Sequence, residues 1–240
     1  MLIKTRAIVF RTHKYGETSL IAELYTEHYG LRKYVINGVR SAKARTKASL
    51  LQVMSLLDIV AYERENRDLN RLKEIRPAQL YSGIPFDVRK GTVGLFWVEI
   101  ARKSIREREE NAALFHFLWQ SFLTLDETTT SLAHYPLCYL IELSRYLGFY
   151  PSGTYRPATP FFDLQEGDFV STLPNHPAYL TEELSLLLAA ILRTSLAQAD
   201  QITSDRSQRR ALLSQLIRYY QLHLEGMGTV HSHEVLQSLL

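Results

Sequence analysis

One stretch indicates the fold of the N-terminal region: Leu51-Gln-Val-Met-Ser-Leu-Leu-Asp-Ile-Val-Ala61. Every second residue of it is apolar except Ser55. A period of two is typical of a strand that turns one face towards a core. We therefore expect a half-buried strand here.

Four more strands are predicted around it. They comprise Leu2 to Arg11, Ser19 to Thr26, a segment that begins at Leu31, and Leu69 to Arg76, which ends at Pro77. Five short strands in about eighty residues, with glycine turns and no long amphipathic helix, predict a small barrel. The OB-fold is the commonest five-stranded barrel that binds nucleic acid, and an SH3-like barrel would give almost the same pattern.

The segment before this stretch is strongly basic. Leu31 to Leu50 holds six Lys/Arg and no Asp or Glu, and the acid-free window extends from His28 to Leu57. Clustered cations gain free energy when they replace the counterions around a nucleic acid. We therefore favour a polyanionic partner over an ordinary solvated face.

Charge is unevenly distributed along the 240 residues. Residues 1–80 hold 15 Lys/Arg and 8 Asp/Glu, a net charge of +7, whereas the remainder holds 13 and 17, a net charge of −4. The length of the chain favours two domains. The asymmetry predicts a basic nucleic-acid-binding domain, residues 1–80, joined to a mildly acidic domain, residues 81–240.

After Pro85 the apolar period changes to that of helices. Five helices are predicted: one around Trp97, one around Leu118, one from Pro136 to Gly148, one capped by Thr181, and one from about Ser207 to Leu224. The connection at residues 150–179 is long enough to carry structure of its own, and its aromatic segments predict a small hairpin. The expected fold class is α+β, with an OB-fold barrel followed by an all-α domain that contains this insertion.

Several kinds of chemistry are not indicated. The single cysteine, Cys138, excludes an intrachain disulfide and a thiolate-clustered zinc site, and it fits a reducing cytoplasm. The N-terminus does not resemble a signal peptide, and the longest apolar run, Leu186 to Leu192, is too short to span a bilayer. We expect a soluble, cytoplasmic protein with no membrane partner. Patterns for nucleotide hydrolysis and for Ser or Cys nucleophiles are missing, so neither a cofactor nor a small-molecule substrate is expected.

Two alternatives remain open. A metal-dependent nucleic-acid enzyme would use His13, His231 and His233, although the last two more plausibly open a terminal helix with Ser232 as its cap. Acidic residues show no paired spacing of the kind a nuclease needs to hold its metals. An RNA-binding OB protein is the second alternative, and competition between matched DNA and RNA strands would reveal it.

Short motifs along nearly the whole chain resemble the bacterial DNA repair protein RecO family. They are Gly16-Glu17-Thr18, Tyr29-Gly30, Gly38-Val-Arg40 with Lys43 and Lys47, Leu50-Leu-Gln52, Leu72-Lys-Glu-Ile75, Leu147-Gly-Phe149 and Tyr219-Tyr-Gln-Leu-His-Leu224. The resemblance implies an OB-fold, a helical domain, binding to single- and double-stranded DNA, and annealing of complementary strands. It also implies partnership with RecR and with the single-stranded DNA-binding protein SSB, in helping to load RecA.

One feature departs from that family. Many members carry a four-cysteine zinc knuckle after the Leu-Gly motif, whereas residues 150–179 here contain no cysteine. One histidine, His176, cannot hold structural zinc, so we expect no metal. A small core of Phe161, Phe162, Phe169 and Pro174 is expected in its place.

The basic residues supply the candidate binding sites. The primary phosphate contacts are Arg32, Lys33, Arg40, Lys43, Arg45 and Lys47. A second basic set, interrupted by four acidic residues, comprises Arg64, Arg67, Arg71, Lys73 and Arg76. Tyr29 and Tyr34 are candidates for base stacking, with core positions as the alternative. Arg102, Lys103 and Arg106 are candidates for binding the acidic C-terminal tail of SSB, with a solvated helix face as the alternative.

Overall fold

A computed structural model describes residues 1–39, 48–64 and 67–239 of the chain. The chain divides into two compact units. The first comprises Met1–Pro85 and Ile105–Asp126, and the second comprises Phe86–Ser104 and Glu127–Leu240. The chain therefore contributes two separate segments to each unit.

The first unit is built on a closed barrel of five strands. They are β1 (Leu2–Tyr15), β2 (Ser19–Thr26), β3 (Gly30–Ile36), β4 (Leu56–Tyr62) and β5 (Leu69–Gln79). Their order is β1-β2-β3-β5-β4, and neighbouring strands are antiparallel except β3 and β5, which are parallel. This closed five-stranded architecture confirms the OB-like barrel predicted from the sequence.

The long first strand closes the barrel. Residues 2–8 of β1 pair with β4, whereas residues 7–15 pair with β2. The register with β2 shifts between Val9 and Arg11. A β-bulge at such a shift bends the strand, which lets its first half follow β4 and its second half follow β2.

The stretch that indicated the fold is a strand only in its second half. β4 starts at Leu56, whereas Ala48–Leu51 form a 3₁₀ turn and Met54 has a φ of 76°. The Met54 N–H donates to the Val9 carbonyl at 2.9 Å, and the Val9 N–H donates to the Ser55 carbonyl at 3.0 Å. These residues bond to β1 at its bulge, so the prediction of a strand over residues 51–55 was wrong.

The end of β5 also differs from the prediction. The strand continues past Pro77 to Gln79. Pro77 lies opposite Leu57, at a register shift between β4 and β5. Proline is tolerated at such an irregularity because a bulge does not require its missing N–H.

Alternate residues of the strands fill the barrel. Tyr34 is the largest of them and has no exposed surface. The buried cluster comprises Ile3, Ala7, Val9, Leu20, Ala22, Leu24, Tyr34, Ile36, Val39, Leu51, Leu57, Ile59, Ala61, Leu72 and Ile75. Their neighbours in sequence on the strands point to the outside of the barrel, where some, such as Ile8 and Tyr25, are buried and the exposed ones are candidates for binding.

Six helices are described. They are α1 (Val88–Ser104), α2 (Ala112–Glu127), α3 (Tyr135–Tyr146), α4 (Glu182–Leu192), α5 (Arg206–His223) and α6 (Ser232–Leu239). Within the second unit, Trp97 of α1 stacks on Tyr139 of α3 with ring centroids 4.5 Å apart. In residues 1–39, 48–64 and 67–239, no helix is both long and apolar enough to cross a membrane.

Helix α2 belongs to the barrel unit up to Asp126. The Asp126 carboxylate accepts backbone N–H groups from Ser82 at 2.8 Å and from Gly83 and Ile84 at 2.7 Å each. Burial alone would raise the pKa of Asp126, but these donors lower it. The end of α2 is therefore bound to the segment that follows β5.

The connection between α3 and α4 contains a small sheet. Its strands are β6 (Phe161–Asp163), β7 (Asp168–Val170) and β8 (Tyr179–Leu180), in the order β7-β6-β8. Phe162 lies opposite Phe169, and their rings meet edge to face with centroids 5.0 Å apart. The predicted hairpin is therefore confirmed, and these two phenylalanines are buried in it.

Candidate nucleic-acid interface

The barrel carries a cleft of about 590 Å³ beside β3, β4, β5 and the loop between β4 and β5. Three arginines, Arg64, Arg67 and Arg71, line it together with Val35 and Leu69, which are half-buried. We call it the arginine cleft. Its size falls within the range of roughly 300–1,000 Å³ that is usual for ligand sites.

The three arginine side chains are exposed. Among the described residues none of them forms an ion pair with an acidic group. Arg71 is positioned by β5, where it faces Val35 of β3 and Tyr62 of β4. The loop is held by the Arg67 N–H, which donates to the Arg64 carbonyl at 3.2 Å. Exposed guanidinium groups without a carboxylate partner suit phosphate, which they bind through two donors at once.

A buried carboxylate organises the inner side of this cleft. Glu63 is 8% exposed and accepts hydrogen bonds from Arg32 Nε at 3.0 Å, Tyr34 Oη at 3.1 Å and Asn70 Nδ2 at 2.8 Å. The Asn70 side chain in turn accepts the Arg64 N–H at 3.1 Å. These hydrogen bonds satisfy the Glu63 carboxylate within the wall of the cleft. Its negative charge is offset there and does not neutralise the exposed arginine side chains.

The same hydrogen-bond network includes two of the predicted site residues, Arg32 and Tyr34. The Arg32 side chain is only 21% exposed and is paired with Glu63. Much of its positive charge is therefore offset by that carboxylate. Tyr34 is fully buried, and burial followed by the neighbouring Glu63 charge raises its pKa. A ring with no exposed surface cannot stack on a base, so the stacking role predicted for Tyr34 was wrong. Its alternative, a core position, is what the structure shows.

The other predicted contacts are dispersed. Lys33 is exposed, and its Nζ lies 4.0 Å from Glu23 Oε1. Lys73 Nζ lies 3.6 Å from Glu74 Oε1. Tyr29 is half-buried and packs against the barrel core. Four predicted phosphate contacts lie outside the described residues: Arg40, Lys43, Arg45 and Lys47.

Arg76 lies in a different cleft, of about 460 Å³, which we call the mixed cleft. It joins Lys4 and Arg6 there, together with three acidic residues, Glu27, Asp58 and Glu74. Arg6 Nε donates to Glu27 at 2.8 Å. That hydrogen bond raises the pKa of Arg6 and lowers the pKa of Glu27. Of the second basic set, Arg64, Arg67 and Arg71 thus lie in a cleft where no described acidic group pairs with them, whereas Arg76 lies in one lined by as many carboxylates as Lys/Arg side chains.

Sequence reasoning missed Tyr62, which lines the arginine cleft and is 46% exposed. The alternation that predicted β4 contains the signal. Ile59 and Ala61 point into the core, so Val60 and Tyr62 must point outwards.

The candidate SSB-tail residues do not form one patch within a unit. Arg102 and Lys103 lie on α1 in the second unit and are half-buried. Lys103 Nζ lies 3.5 Å from a Glu99 carboxylate oxygen and also donates to the Thr229 carbonyl. Arg106 is exposed and belongs to the first unit.

Two of the three histidines of the enzymatic alternative, His231 and His233, have structural contacts at the start of α6. The Glu99 carboxylate accepts the His231 N–H at 3.1 Å and the Ser232 N–H at 2.8 Å. Burial alone would raise the pKa of Glu99, but these hydrogen bonds lower it. A carboxylate at the start of α6 is the favourable charge for a helix N-terminus. In the part of the chain that the structure describes, no three His, Cys, Asp or Glu side chains form a group able to hold a metal ion.

The closed barrel places this chain among the OB-type barrel proteins. Comparison with protein families is more specific. The family model for the N-terminal part of recombination protein O matches residues 1–81, and that for its C-terminal part matches residues 85–232. The chain therefore belongs to the RecO family.

Curated relatives match this chain over almost their whole length. The chain is 35% identical to a DNA repair protein RecO of Bacteroides fragilis over 240 residues, and 36% identical to one of Christiangramia forsetii over 241 residues. It is 32% identical to one of Phocaeicola vulgatus over 239 residues. In each case the match covers 100% of this chain and 99% of the relative.

Proposed function

We propose that this chain binds single- and double-stranded DNA, anneals complementary strands and, with RecR, helps to load RecA onto SSB-coated DNA during recombinational repair. Membership of the RecO family supports the general role, because its curated relatives are named as DNA repair proteins. The observation that carries the proposal is the arginine cleft, with three exposed arginines that pair with no described acidic group, beside an apolar lining. Such a role places the protein at the nucleoid, in the cytoplasm.

The mechanism follows from what the cleft presents. Annealing requires two mutually repelling strands to approach while their base edges stay free. Guanidinium groups that contact phosphates reduce this repulsion without occupying the base edges. Glu63 does not compete for these guanidinium groups, because its carboxylate already binds Arg32, Tyr34 and Asn70.

Two arginines of the same strand provide a matched test. Arg71 and Arg76 are both exposed on β5, but Arg71 lies in the arginine cleft and Arg76 in the mixed cleft. We expect Arg71→Ala to weaken binding to a single-stranded oligonucleotide and to flatten the plot of log affinity against log salt by about 0.7. Arg76→Ala is expected to leave both values close to those of the parent.

The triple variant Arg64→Ala, Arg67→Ala, Arg71→Ala extends this test. The salt slope is expected to fall by about 2.1, and annealing of complementary oligonucleotides to slow. An unchanged melting temperature would show that the variant is folded, since exposed charges contribute under about 1 kcal/mol. A folded triple variant that keeps the parent's affinity and salt slope would refute the arginine cleft as the binding site.

We propose a binding role and not a catalytic one. Incubation of the protein with labelled oligonucleotides and Mg²⁺ or Mn²⁺ distinguishes the two. Faster duplex formation with intact strands is expected, whereas cleavage products would favour the metal-dependent enzyme.

We also propose that the acidic tail of SSB contacts Arg102, Lys103 and Arg106. Lys103 is expected to contribute least, because Glu99 already lies beside its ammonium group. The combined charge reversal Arg102→Glu, Lys103→Glu, Arg106→Glu should weaken binding of a peptide with the tail sequence. Binding unchanged from the parent would contradict this assignment.

A further inference from the structure

An exposed tyrosine stands inside the arginine cleft. Tyr62 is the last residue of β4 and is 46% exposed. Its direct neighbours across the sheet are Leu2 on β1 and Arg71 on β5. Among the described residues its ring makes no contact with another aromatic ring, and its hydroxyl makes no hydrogen bond. The exposed part of the side chain is therefore available to a ligand.

Exposure alone would mean little, because single exposed apolar residues are normal on protein surfaces. The surroundings of Tyr62 distinguish it. It shares the cleft with half-buried Val35 and Leu69 and with the guanidinium groups of three arginines. An apolar, aromatic surface bordered by exposed guanidinium groups matches the two parts of a nucleotide, a flat base and a charged phosphate.

We propose that Tyr62 stacks on a nucleobase of an unpaired DNA strand, while Arg64, Arg67 and Arg71 contact the flanking phosphates. This inference rests on the proposed function and names the part of the strand that the cleft recognises beyond its charge. A base inside a duplex is already stacked on both faces and is not available to a side-chain ring. Tyr62 therefore makes the arginine cleft selective for single strands, whereas the arginines alone bind either form.

Tyr15 provides the matched control. It is also a tyrosine at the end of a barrel strand, and it is 52% exposed, but it does not line the arginine cleft. A general effect of removing an exposed tyrosine from the barrel would appear in Tyr15→Ala as well as in Tyr62→Ala.

The experiment measures affinities of the full chain for a pyrimidine oligonucleotide and for a duplex of the same length, by fluorescence anisotropy at one salt concentration. We expect Tyr62→Ala to weaken single-strand binding about 5- to 100-fold, the range for loss of one base–aromatic stack, and to change duplex binding less than about 2-fold. Tyr62→Phe keeps the ring and should bind as the parent does. Tyr15→Ala should also match the parent. Equal affinity of the parent and Tyr62→Ala for single strands would overturn the proposal, as would equal losses for single strands and duplex.

A second measurement does not depend on the folding of a variant. The parent protein is irradiated with a single-stranded oligonucleotide that contains 5-iododeoxyuridine, and the cross-linked peptide is identified by mass spectrometry. Cross-linking at Tyr62 is expected, and cross-linking only at other residues would overturn the proposal. The two hypotheses fail differently. If the triple arginine variant loses affinity and Tyr62→Ala does not, only the stacking is wrong, whereas an unaffected triple variant refutes the cleft itself.

Discussion

The barrel carries two clefts of similar size whose cations have different partners. The arginine cleft, of about 590 Å³, and the mixed cleft, of about 460 Å³, are each lined by three Lys/Arg side chains. In the mixed cleft three carboxylates line the same surface. In the arginine cleft the one described carboxylate, Glu63, is buried and bound by Arg32 from the inner side.

A count of basic residues therefore does not locate a polyanion site. The positive charge of a paired cation is partly neutralised by its carboxylate partner, and a phosphate must compete with that carboxylate to bind the cation. The arginine cleft differs because its carboxylate, Glu63, is already bound by residues other than the three arginines of the cleft.

The largest effect is expected from Glu63→Ala. The variant leaves the mostly buried Arg32 side chain without its counterion, and it leaves the Tyr34 hydroxyl and the Asn70 amide without their acceptor. Breaking a buried pair by removing one partner typically costs about 3–5 kcal/mol of unfolding free energy. The matched change in the mixed cleft, Glu27→Ala, removes the partner of the 42% exposed Arg6 and should cost under about 1 kcal/mol.

Urea unfolding followed by circular dichroism measures this difference. Similar losses in the two variants would show that the carboxylates play equivalent roles and would remove the basis of the comparison. Glu63→Gln serves as an intermediate case, because its amide oxygen can still accept one of the three hydrogen bonds.

Much of the barrel could be predicted from the sequence because alternation is a local signal. It identified β4 from Leu56 onwards, and it also contained the outward position of Tyr62. The same alternation indicates the core position of Tyr34, which was one of its two predicted roles, because Tyr34 points inwards with Ile36 two residues further along β3.

Pairing between distant residues could not be predicted from local patterns. Arg32 and Glu63 are separated by 31 positions, and only closure of the barrel brings them to 3.0 Å. The location of α2 is a second case. Its periodicity marks an apolar face but does not specify the unit that covers it, which depends on long-range contacts such as those of Asp126.

The basic run offers the next largest effect, now on binding. Lys43 and Arg45 have no acidic residue near them in sequence, since no Asp or Glu occurs between His28 and Leu57. If both contact phosphate, Lys43→Ala with Arg45→Ala should reduce the magnitude of the single-strand salt slope by about 1.4, at an unchanged melting temperature. A folded double variant with the parent's slope would restrict the phosphate contacts to the arginine cleft.

A smaller effect on binding is expected when one carboxylate of the mixed cleft is neutralised. Asp58 on β4 lies opposite Arg6 on β1 and Arg76 on β5. Asp58→Asn leaves Arg6 bound to Glu27 but removes the negative charge that lies opposite Arg76 in the sheet. We expect one additional phosphate contact, which steepens the single-strand salt slope by about 0.7. No change in the slope would mean that something other than acid pairing keeps Arg76 from binding DNA.

The smallest effect concerns the pH dependence of the Arg6–Glu27 pair. The hydrogen bond from Arg6 lowers the pKa of Glu27 below its ordinary value of 4.5, although burial opposes the shift. A carboxylate whose pKa is lower in the folded state stabilises that state fully above its unfolded pKa, and this contribution is lost as the pH falls. The pair should therefore stabilise the barrel at pH 7 and progressively less below pH 4.5.

Glu27→Gln isolates this contribution, because it removes the titration and keeps the side chain's shape. We expect the variant to be less stable than the parent by under about 1 kcal/mol at pH 7, since the exposed Arg6 is screened by solvent. The difference should shrink as the pH falls below 4.5, because the unfolded parent then binds a proton at Glu27 that the folded parent, with its lowered pKa, resists. Glu74→Gln removes an exposed negative charge from the same cleft and controls for the change in net charge. If the Glu27→Gln difference stayed constant from pH 7 to pH 3, or grew, the pair would not be acting through the ionised carboxylate. The charge balance assigned to the mixed cleft would then need another source.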